Sequence, residues 1–481
     1  MKRNFWNFLI VLFVSFVGVF VSCNDDDDDD LPISETATIF EENGNVVTIT
    51  DLGEGVGNYT FTADKVWVLN GLVFVNEGQT LTIEPGTVIK GKAGQLEDAS
   101  ALVVARGAKI MAEGTSTEPI IFTAEVDQLN GNIGIDQRGL WGGLIILGNA
   151  KLNSTPGETA IEGIPTTEPR GLYGGNNDAD NSGVLRYVSI RHGGTDIGEG
   201  NEINGLTLGG VGSATTIEYI EVIANKDDGI EFFGGAPRLK YIVVSYCGDD
   251  SFDYDEGYRG KGQFWLAIQD VAAGDRLGEH DGGTNPETAQ PYAEPFIYNA
   301  TYIGRGAEAG KRTITFRDNA GGHYVNSIFA FQKKGIDVEI LASQENSYNQ
   351  MVNGLLEVKN CIFSDVADMT GNGIFKLSYV GDSINAAGEP VMNPEDIEVQ
   401  LPTVALLAKV AENQPIWQAK FDLWNNSATT ALVTAQNPVP ASGVNNPATP
   451  TDSWFTTVSY QGAFEPAVAN HWAKGWTKLF E

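Results

Sequence analysis

The sequence predicts an all-β chain wound into a parallel β-solenoid, and two observations carry that prediction. Residues 217–228 read IEYIEVIANKDD and, twenty-two positions later, residues 239–250 read LKYIVVSYCGDD. Tyr219 falls on Tyr241, Ile220 on Ile242, Val222 on Val244, and the pair Asp227-Asp228 on Asp249-Asp250; beyond them Ile230 falls on Phe252 and Glu231 on Asp253. A short apolar strand followed by a polar turn, at this period, is one rung of a parallel coil. Residues one period apart then stand about 4.8 Å apart, so the repeat stacks carboxylate on carboxylate. Composition agrees: 57 glycines and only five methionines in 481 residues suit many turns and few long helices. A chain this long exceeds one ordinary domain. A solenoid escapes that limit because each rung contacts only its neighbours.

The elements follow in order. Lys2 and Arg3 precede an apolar run over residues 5–21, broken only by Asn7, Ser15 and Gly18 and closed by Ser22-Cys23. This pattern is an export signal. A lone Cys after a small residue at the end of such a run resembles a bacterial lipoprotein processing site, with Phe20 standing where Leu is commoner. The resemblance implies a signal peptide over residues 1–22 and a lipid on Cys23; an uncleaved membrane anchor is the alternative. Asn24 and six aspartates, residues 25–30, come next. Such a run repels itself and is expected to stay extended as a solvated tether. Directly after a lipidated Cys it resembles the acidic surface-export signals of Bacteroidetes lipoproteins, which implies an outer-membrane anchor facing the cell exterior. Residues 23–62 read as lipidated Cys, tether and lead-in.

The coil is expected over residues 63–380. Residues 63–75 (ADKVWVLNGLVFV) open it, and 81–92 (LTIEPGTVIKGK) turn at Pro85-Gly86 between two short strands. Residues 101–113 repeat that shape with Gly107 at the corner, and 119–124 and 142–152 add strands. Residues 153–183, rich in Gly, Pro, Asn and Asp, read as a long loop before Leu185, Val188 and Ile190 resume the coil. Residues 269–295 read as a second insertion, and 296–304, 313–317, 324–331 and 355–363 as the last rungs. Residues 394–411 have helical spacing and an amphipathic face. With five of the nine tryptophans, residues 381–481 are expected to form a small, partly helical C-terminal cap.

Several phrases together resemble the right-handed parallel β-helix modules of exported Bacteroidetes proteins. They are LTIEPGTVIKG, ALVVARGAKIMAEGT and PIIFTA, then LRYVSIRHGG at 185, DDGIEFFGG at 227, GDDSFDYDEGYRGKGQFW at 248, YQGAFEP at 460 and WAKGWT at 472. The resemblance covers residues 63–480 and implies a right-handed helix on the cell surface. That family has no agreed activity, so it carries no functional residue onto this chain.

Charge narrows the function classes. The chain has 63 acids against 30 bases, a net charge of −33. A nucleic acid or an anionic lipid surface needs a basic face and is excluded as a partner; cations and neutral or cationic ligands fit. Cys247 and Cys361, each in or just after a strand-like segment, are expected to be buried and unpaired. With only four histidines a zinc site is not expected. No phosphate-binding glycine loop, Ser-His-Asp order or redox Cys pair stands out.

The acids Asp227, Asp228, Glu231, Asp249, Asp250, Asp253, Asp255 and Glu256 form the first constellation. Stacked charges about 5 Å apart repel by about 0.8 kcal/mol in water and about 3 kcal/mol at an effective dielectric of 20. Ca²⁺ would relieve them, since it takes six to eight oxygens in irregular geometry. The plainer reading is that they are turn-forming acids bonded to backbone N–H groups. A third reading is catalytic. Parallel β-helices include pectate lyases and polygalacturonases, and an Asp pair beside a third carboxylate resembles the latter. Asp228, Asp249 and Asp250 would act there, but His192-Gly193 precedes the pair, so no His-Gly step and Arg-x-Lys motif follow it in the expected order, although Arg259-Gly260-Lys261 lies downstream. A lyase would want a base near Ca²⁺, for which Arg191, Arg259 and Lys261 are the candidates.

Aromatics accompany the acids. Tyr258 and Trp265 are expected to be exposed and able to stack on a sugar, with Phe232, Phe233 and Phe264 packing the coil. Glu279-His280-Asp281 and Arg317-Asp318-Asn319, in glycine-rich loops, are further ligand-binding candidates. The readings that remain are three: a non-enzymatic surface scaffold whose calcium-stabilised acidic face binds a glycan or an outer-membrane transporter, a polysaccharide lyase or hydrolase using that face, and a structural stalk.

Overall fold

A computed structural model describes residues 36–198, 201–283, 286–306, 309–341, 345–367, 374–380, 432–442 and 444–481. The export signal, Cys23, the aspartate run and the expected helical segment 394–411 lie outside the described residues. Among the described residues no helix is long and apolar enough to cross a membrane.

Parallel strands stack into a right-handed β-helix with a long sheet of eighteen strands and a second, shorter sheet of ten. The repeat in the sequence is the register of the coil. Ile217 pairs with Leu239, Ile220 with Ile242 and Val222 with Val244 in the long sheet, and Ile230 with Phe252 and Glu231 with Asp253 in the short one. The coil starts earlier than residue 63: Val46–Thr50 already pairs in parallel with Val66–Leu69, and the antiparallel strand Ile39–Asn43 covers the first rung. Alternating apolar residues in VVTIT suffice to bury one face, at Val47 and Ile49.

A column of left-handed residues bends the long sheet. Tyr187, Tyr219, Tyr241 and Phe264, then Asn299, Asn326 and Asn360, all have φ between 50° and 61°. This conformation is unfavourable for aromatics, and stacking offsets it: adjacent rings lie 4.4, 4.4 and 5.0 Å apart. Asparagine tolerates it better, and Asn360 Nδ2 donates to Asn326 Oδ1 at 2.9 Å.

The corner also shifts the inside-outside alternation by one. In KGQFWLAI, Trp265 pairs with Ile242 and Ala267 with Val244, so both point inward. Trp265 is therefore buried, at 1% exposure; Tyr258, in the turn before this strand, is buried at 0% exposure with its ring stacked 4.3 Å from Phe232, and neither is the exposed sugar platform expected of it. Gly262 is required here, because a Cβ would stand 2.4 Å from Trp265 Cζ2. Cys247 and Cys361 are buried and unpaired.

The described part of the expected cap, 432–442 and 444–481, lies along the outer face of the long sheet. Val433, Val444, Ala463, Phe464 and Ala473 cover Val243, Leu266, Ile303 and Ile328. The strands beneath read as continuous apolar runs because both of their faces are buried. Trp472 and Trp476 pack edge-on against Tyr241 and Tyr219, and Glu221 accepts N–H groups of Lys478 and Leu479 at 2.8 and 2.9 Å.

Both expected insertions lie against the short sheet. The hairpin of Thr159–Ala160 and Leu172–Tyr173 buries Ile161, Ile164 and Tyr173 on Val103, Ile145, Leu147 and Phe233. Arg170 anchors it, 3.7 Å over the Phe74 ring and 2.9 Å from Asp51. Residues 269–295 are not wholly an insertion, since they contain the rung Gly278–Asp281, paired with the strands on either side. The two segments meet where Asn153 Nδ2 donates to Gly282 O at 2.6 Å.

Candidate functional site

The acids stack as their repeat requires, on the outer face of the short sheet and in the turns that lead into it. Glu231, Asp253 and Glu279 form one column, continued by Thr315 and Asp337. In the turn, Asp228 Oδ1 accepts the N–H of Asp250 at 2.8 Å, and Asp250 Oδ1 accepts that of Arg276. One oxygen of each is thus a turn ligand, as the plainer reading expects. The carboxylates also converge. Ligand atoms of Asp227, Asp228 and Asp249 lie within 4.8 Å of one another, as do those of Asp228, Glu231 and Asp253, and of Asp249, Asp250 and Asp275.

Along the helix axis the compensation of these charges changes. Arg276 lies 3.0 Å from Asp275, 3.2 Å from Glu279 and 3.8 Å from Asp250. Arg317 grips Asp281 with two bonds of 2.6 and 2.9 Å and reaches Glu279 at 2.8 Å. Lys311 pairs with Asp275 and Arg312 with Asp337, both at 3.0 Å. On the earlier rungs Lys226 pairs with Glu202 rather than with the central acids. Among the described residues, Asp228, Glu231 and Asp253 make no ion pair within 4.0 Å. Glu231 receives Asn204 Nδ2, and Asp253 Oδ1 is buried without a partner.

Burial, and then neighbouring carboxylates, push Asp228, Glu231, Asp250 and Asp253 well above the ordinary carboxyl range. Asp227 is raised to about 7 by burial, then Glu202 and Asp249. Asp255 is raised to about 7 by burial and Asp281. Asp249, at the exposed rim, is raised to about 6 by the protein mass around it, then by Asp275 and Glu279. The acids around Arg317 hold its guanidinium charged against the cost of burying it. Such a face accepts protons or a cation readily.

The model of the pectate-lyase-like β-helix domain matches residues 53–389. The chain belongs to the pectate-lyase-like β-helix family. No curated protein and no solved structure matches it.

In this β-helix the structure separates the candidates. Asp227, Asp228, Glu231, Asp249, Asp250 and Asp253 come together, with Glu279, Asp281 and Arg317 on the following rungs. Asp255 accepts the N–H of Glu256, whose carboxylate receives Tyr173 OH at 2.6 Å, so Glu256 serves to hold the hairpin. Two of the proposed bases are elsewhere: Arg191 is buried on the outer face of the long sheet with Ser189 and Glu481, and Lys261 pairs with Asp452 of the tail. Arg259 pairs with Asp178 at 3.0 Å. His280 faces the core, stacked 4.0 Å from Tyr254 and bonded to Tyr324 OH at 2.8 Å, and is not a surface ligand group. Burial lowers it to about 3.

Asp318 sits among a second set of acids that the sequence reading missed. Burial and mutual repulsion raise it to about 8, Glu287 to about 9 and Glu339 to about 7. Asn319 is buried and bonded to Glu287 O and Gln350. Also missed were Asn204, Asp275, Arg276 and Lys311. The signal for Asp275 and Arg276 was present: GDDSFDYD at 248–255 returns as GDRLGEHD at 274–281.

Proposed function

We propose that this chain is a non-enzymatic surface lipoprotein, held to the outer membrane by lipid on Cys23, whose acidic ladder binds Ca²⁺ and presents it to a glycan or a membrane-protein partner. One observation carries the reading: Asp228, Glu231 and Asp253 bring oxygens within 4.8 Å of one another and, among the described residues, none of them makes an ion pair within 4.0 Å. Three carboxylates and the neighbouring Asn204 amide offer hard oxygen donors in the irregular arrangement Ca²⁺ accepts. A bound ion would keep open positions outward, and through these it would meet sugar hydroxyls or a partner's carboxylates. The aspartate run after Cys23 and the net charge of −33 support display in solvent rather than contact with an anionic surface.

A lyase reading is weaker because its base has no holder. Arg191 and Lys261 serve the tail. Arg276 and Arg317, which do flank the acids, are ion-paired and held charged. A stalk alone does not require unpaired acids on one face.

Thermal melts of the mature chain test the proposal. With EDTA the melting temperature should fall by several degrees and Ca²⁺ should restore it. An unchanged melt would reduce the ladder to solvated turns. Turnover of acidic polysaccharide that Asp250→Asn abolishes without unfolding the chain would instead make it an enzyme.

A further inference from the structure

The lower rungs show what the acid face holds where the chain supplies a partner for it. Asp281 pairs with Arg317 in the register of the short sheet, and Arg317 also reaches Glu279, so one guanidinium spans two outward columns. Its planar fork of donors suits that task better than a point charge does. One rung earlier the same geometry is offered and left unfilled. Asp253 pairs with Glu279 as Glu279 pairs with Thr315, so Asp281 holds beside Asp253 the place that Arg317 holds beside Glu279. The chain puts an acid where the next rung has its arginine.

Two orphaned acceptors mark the gap. Asp253 Oδ1 is buried without a hydrogen-bond partner. So is Oδ1 of Asn204, a residue only 2% exposed whose Nδ2 donates to Glu231. Buried acceptors without donors are costly, and a guanidinium brings several N–H donors in one plane. Asp253 is half-buried rather than closed off and Asp249 at the rim is exposed, so the acids can be reached from solvent.

We propose that the pocket of Asp228, Glu231 and Asp253, with Asn204 at its side, takes the guanidinium of an arginine from another polypeptide, and that this arginine and Ca²⁺ exclude one another. The proposal rests on the cation reading above and names the chemistry of its protein partner. Three carboxylates whose oxygens lie within 4.8 Å of one another hold a divalent ion or a guanidinium, not both. Ca²⁺ then sets whether the partner docks. Metal-free protein takes the arginine, and the loaded face offers its ion instead.

Titration calorimetry on the mature chain tests this with a blocked Gly-Gly-Arg-Gly-Gly peptide and the same peptide carrying citrulline, which keeps the shape and loses the charge. In EDTA the arginine peptide should bind about tenfold more tightly than the citrulline one, and saturating Ca²⁺ should weaken it about tenfold. Asp253→Asn should weaken it by about the same factor. Asp64→Asn, at an exposed acid in the turn before Val66–Leu69, should not. Equal binding of the two peptides, or equal loss in the two variants, would reduce the contact to the diffuse attraction of a chain of net charge −33 and overturn the proposal. Agmatine, a free guanidinium, binding as tightly as the peptide would assign the pocket to a small cation and overturn the polypeptide partner. Ca²⁺ heat with no peptide binding would leave the cation reading standing alone. Peptide binding with no Ca²⁺ heat would sink the cation reading and the exclusion with it, and keep the arginine site.

Discussion

Two stretches of one acidic face solve the same electrostatic problem differently. Around Asp275, Glu279, Asp281 and Asp337 the chain supplies its own cations, with Arg276, Lys311, Arg312 and Arg317 within 3.0 Å of at least one acid. Asp228, Glu231 and Asp253 make no ion pair within 4.0 Å among the described residues, and Arg317 acts on Asp253 only from further off. The register makes the contrast direct, because Lys334 stands one rung beyond Arg312 in the turn column that begins with Asp228 and Asp250. Where bases fill the turn the ladder is a structural ion-pair network. Where they are absent it is an open set of oxygens.

The largest effect is expected in the self-compensated part. Arg317→Ala would leave Glu279 to Arg276 alone and strand Asp281 in a largely buried setting, where losing one partner of a buried pair costs about 3–5 kcal/mol. Chemical denaturation should show that loss at neutral pH, with part of it regained at acid pH as the stranded carboxyl protonates. A variant as stable as wild type would mean the network does not hold the lower rungs.

The next effect separates the two parts by pH. Asp227 and Asp255 are raised to about 7 when folded, against about 3.9 when unfolded. Between those values the folded chain holds more protons than the unfolded one, so its stability falls as pH rises from about 4 to 7. Metal-free denaturation curves should show stability falling steadily across that window, and saturating Ca²⁺ should flatten the fall. A stability that climbs with pH in EDTA would contradict the uncompensated ladder.

Asp253→Asn is predicted to act in the sense opposite to Arg317→Ala. Removing one charge from the unpaired set should raise metal-free stability by about 1 kcal/mol, and the same change should abolish the response of the melt to Ca²⁺. Destabilisation in EDTA would show that Asp253 has a partner after all.

What could be read from the sequence follows from where the repeat was visible. Twenty-two residues separate the two best copies, so register, coil and the stacking of Asp227-Asp228 on Asp249-Asp250 were all legible. The next copy comes twenty-six residues on and replaces Asp-Asp with Asp-Arg, so Asp275 and Arg276 read as loop. Trp265 was misplaced for a different reason. A left-handed corner at Phe264 shifts the alternation by one residue, and strict period-two reading cannot register that shift. The tail was expected to cover an end. Its apolar residues instead match the outer flank of strands such as 264–268, whose unbroken apolar run was the sign that a second layer lay upon them.

The smallest effect tests whether the chain's bases stand in for an ion. Lys311, a third exposed, holds Asp275 at 3.0 Å beside the oxygens that Asp249, Asp250 and Asp275 bring within 4.8 Å of one another. Lys311→Met should cost only about 0.5–1 kcal/mol, as partly exposed pairs do. If bases and ions are interchangeable on this face, the variant should gain a second, weaker Ca²⁺ equivalent by titration calorimetry, and the added ion should recover the lost stability. A single equivalent in both proteins would mean that Arg276 alone still satisfies these rungs. The boundary between the two parts of the ladder would then lie at Arg276 rather than at Lys311.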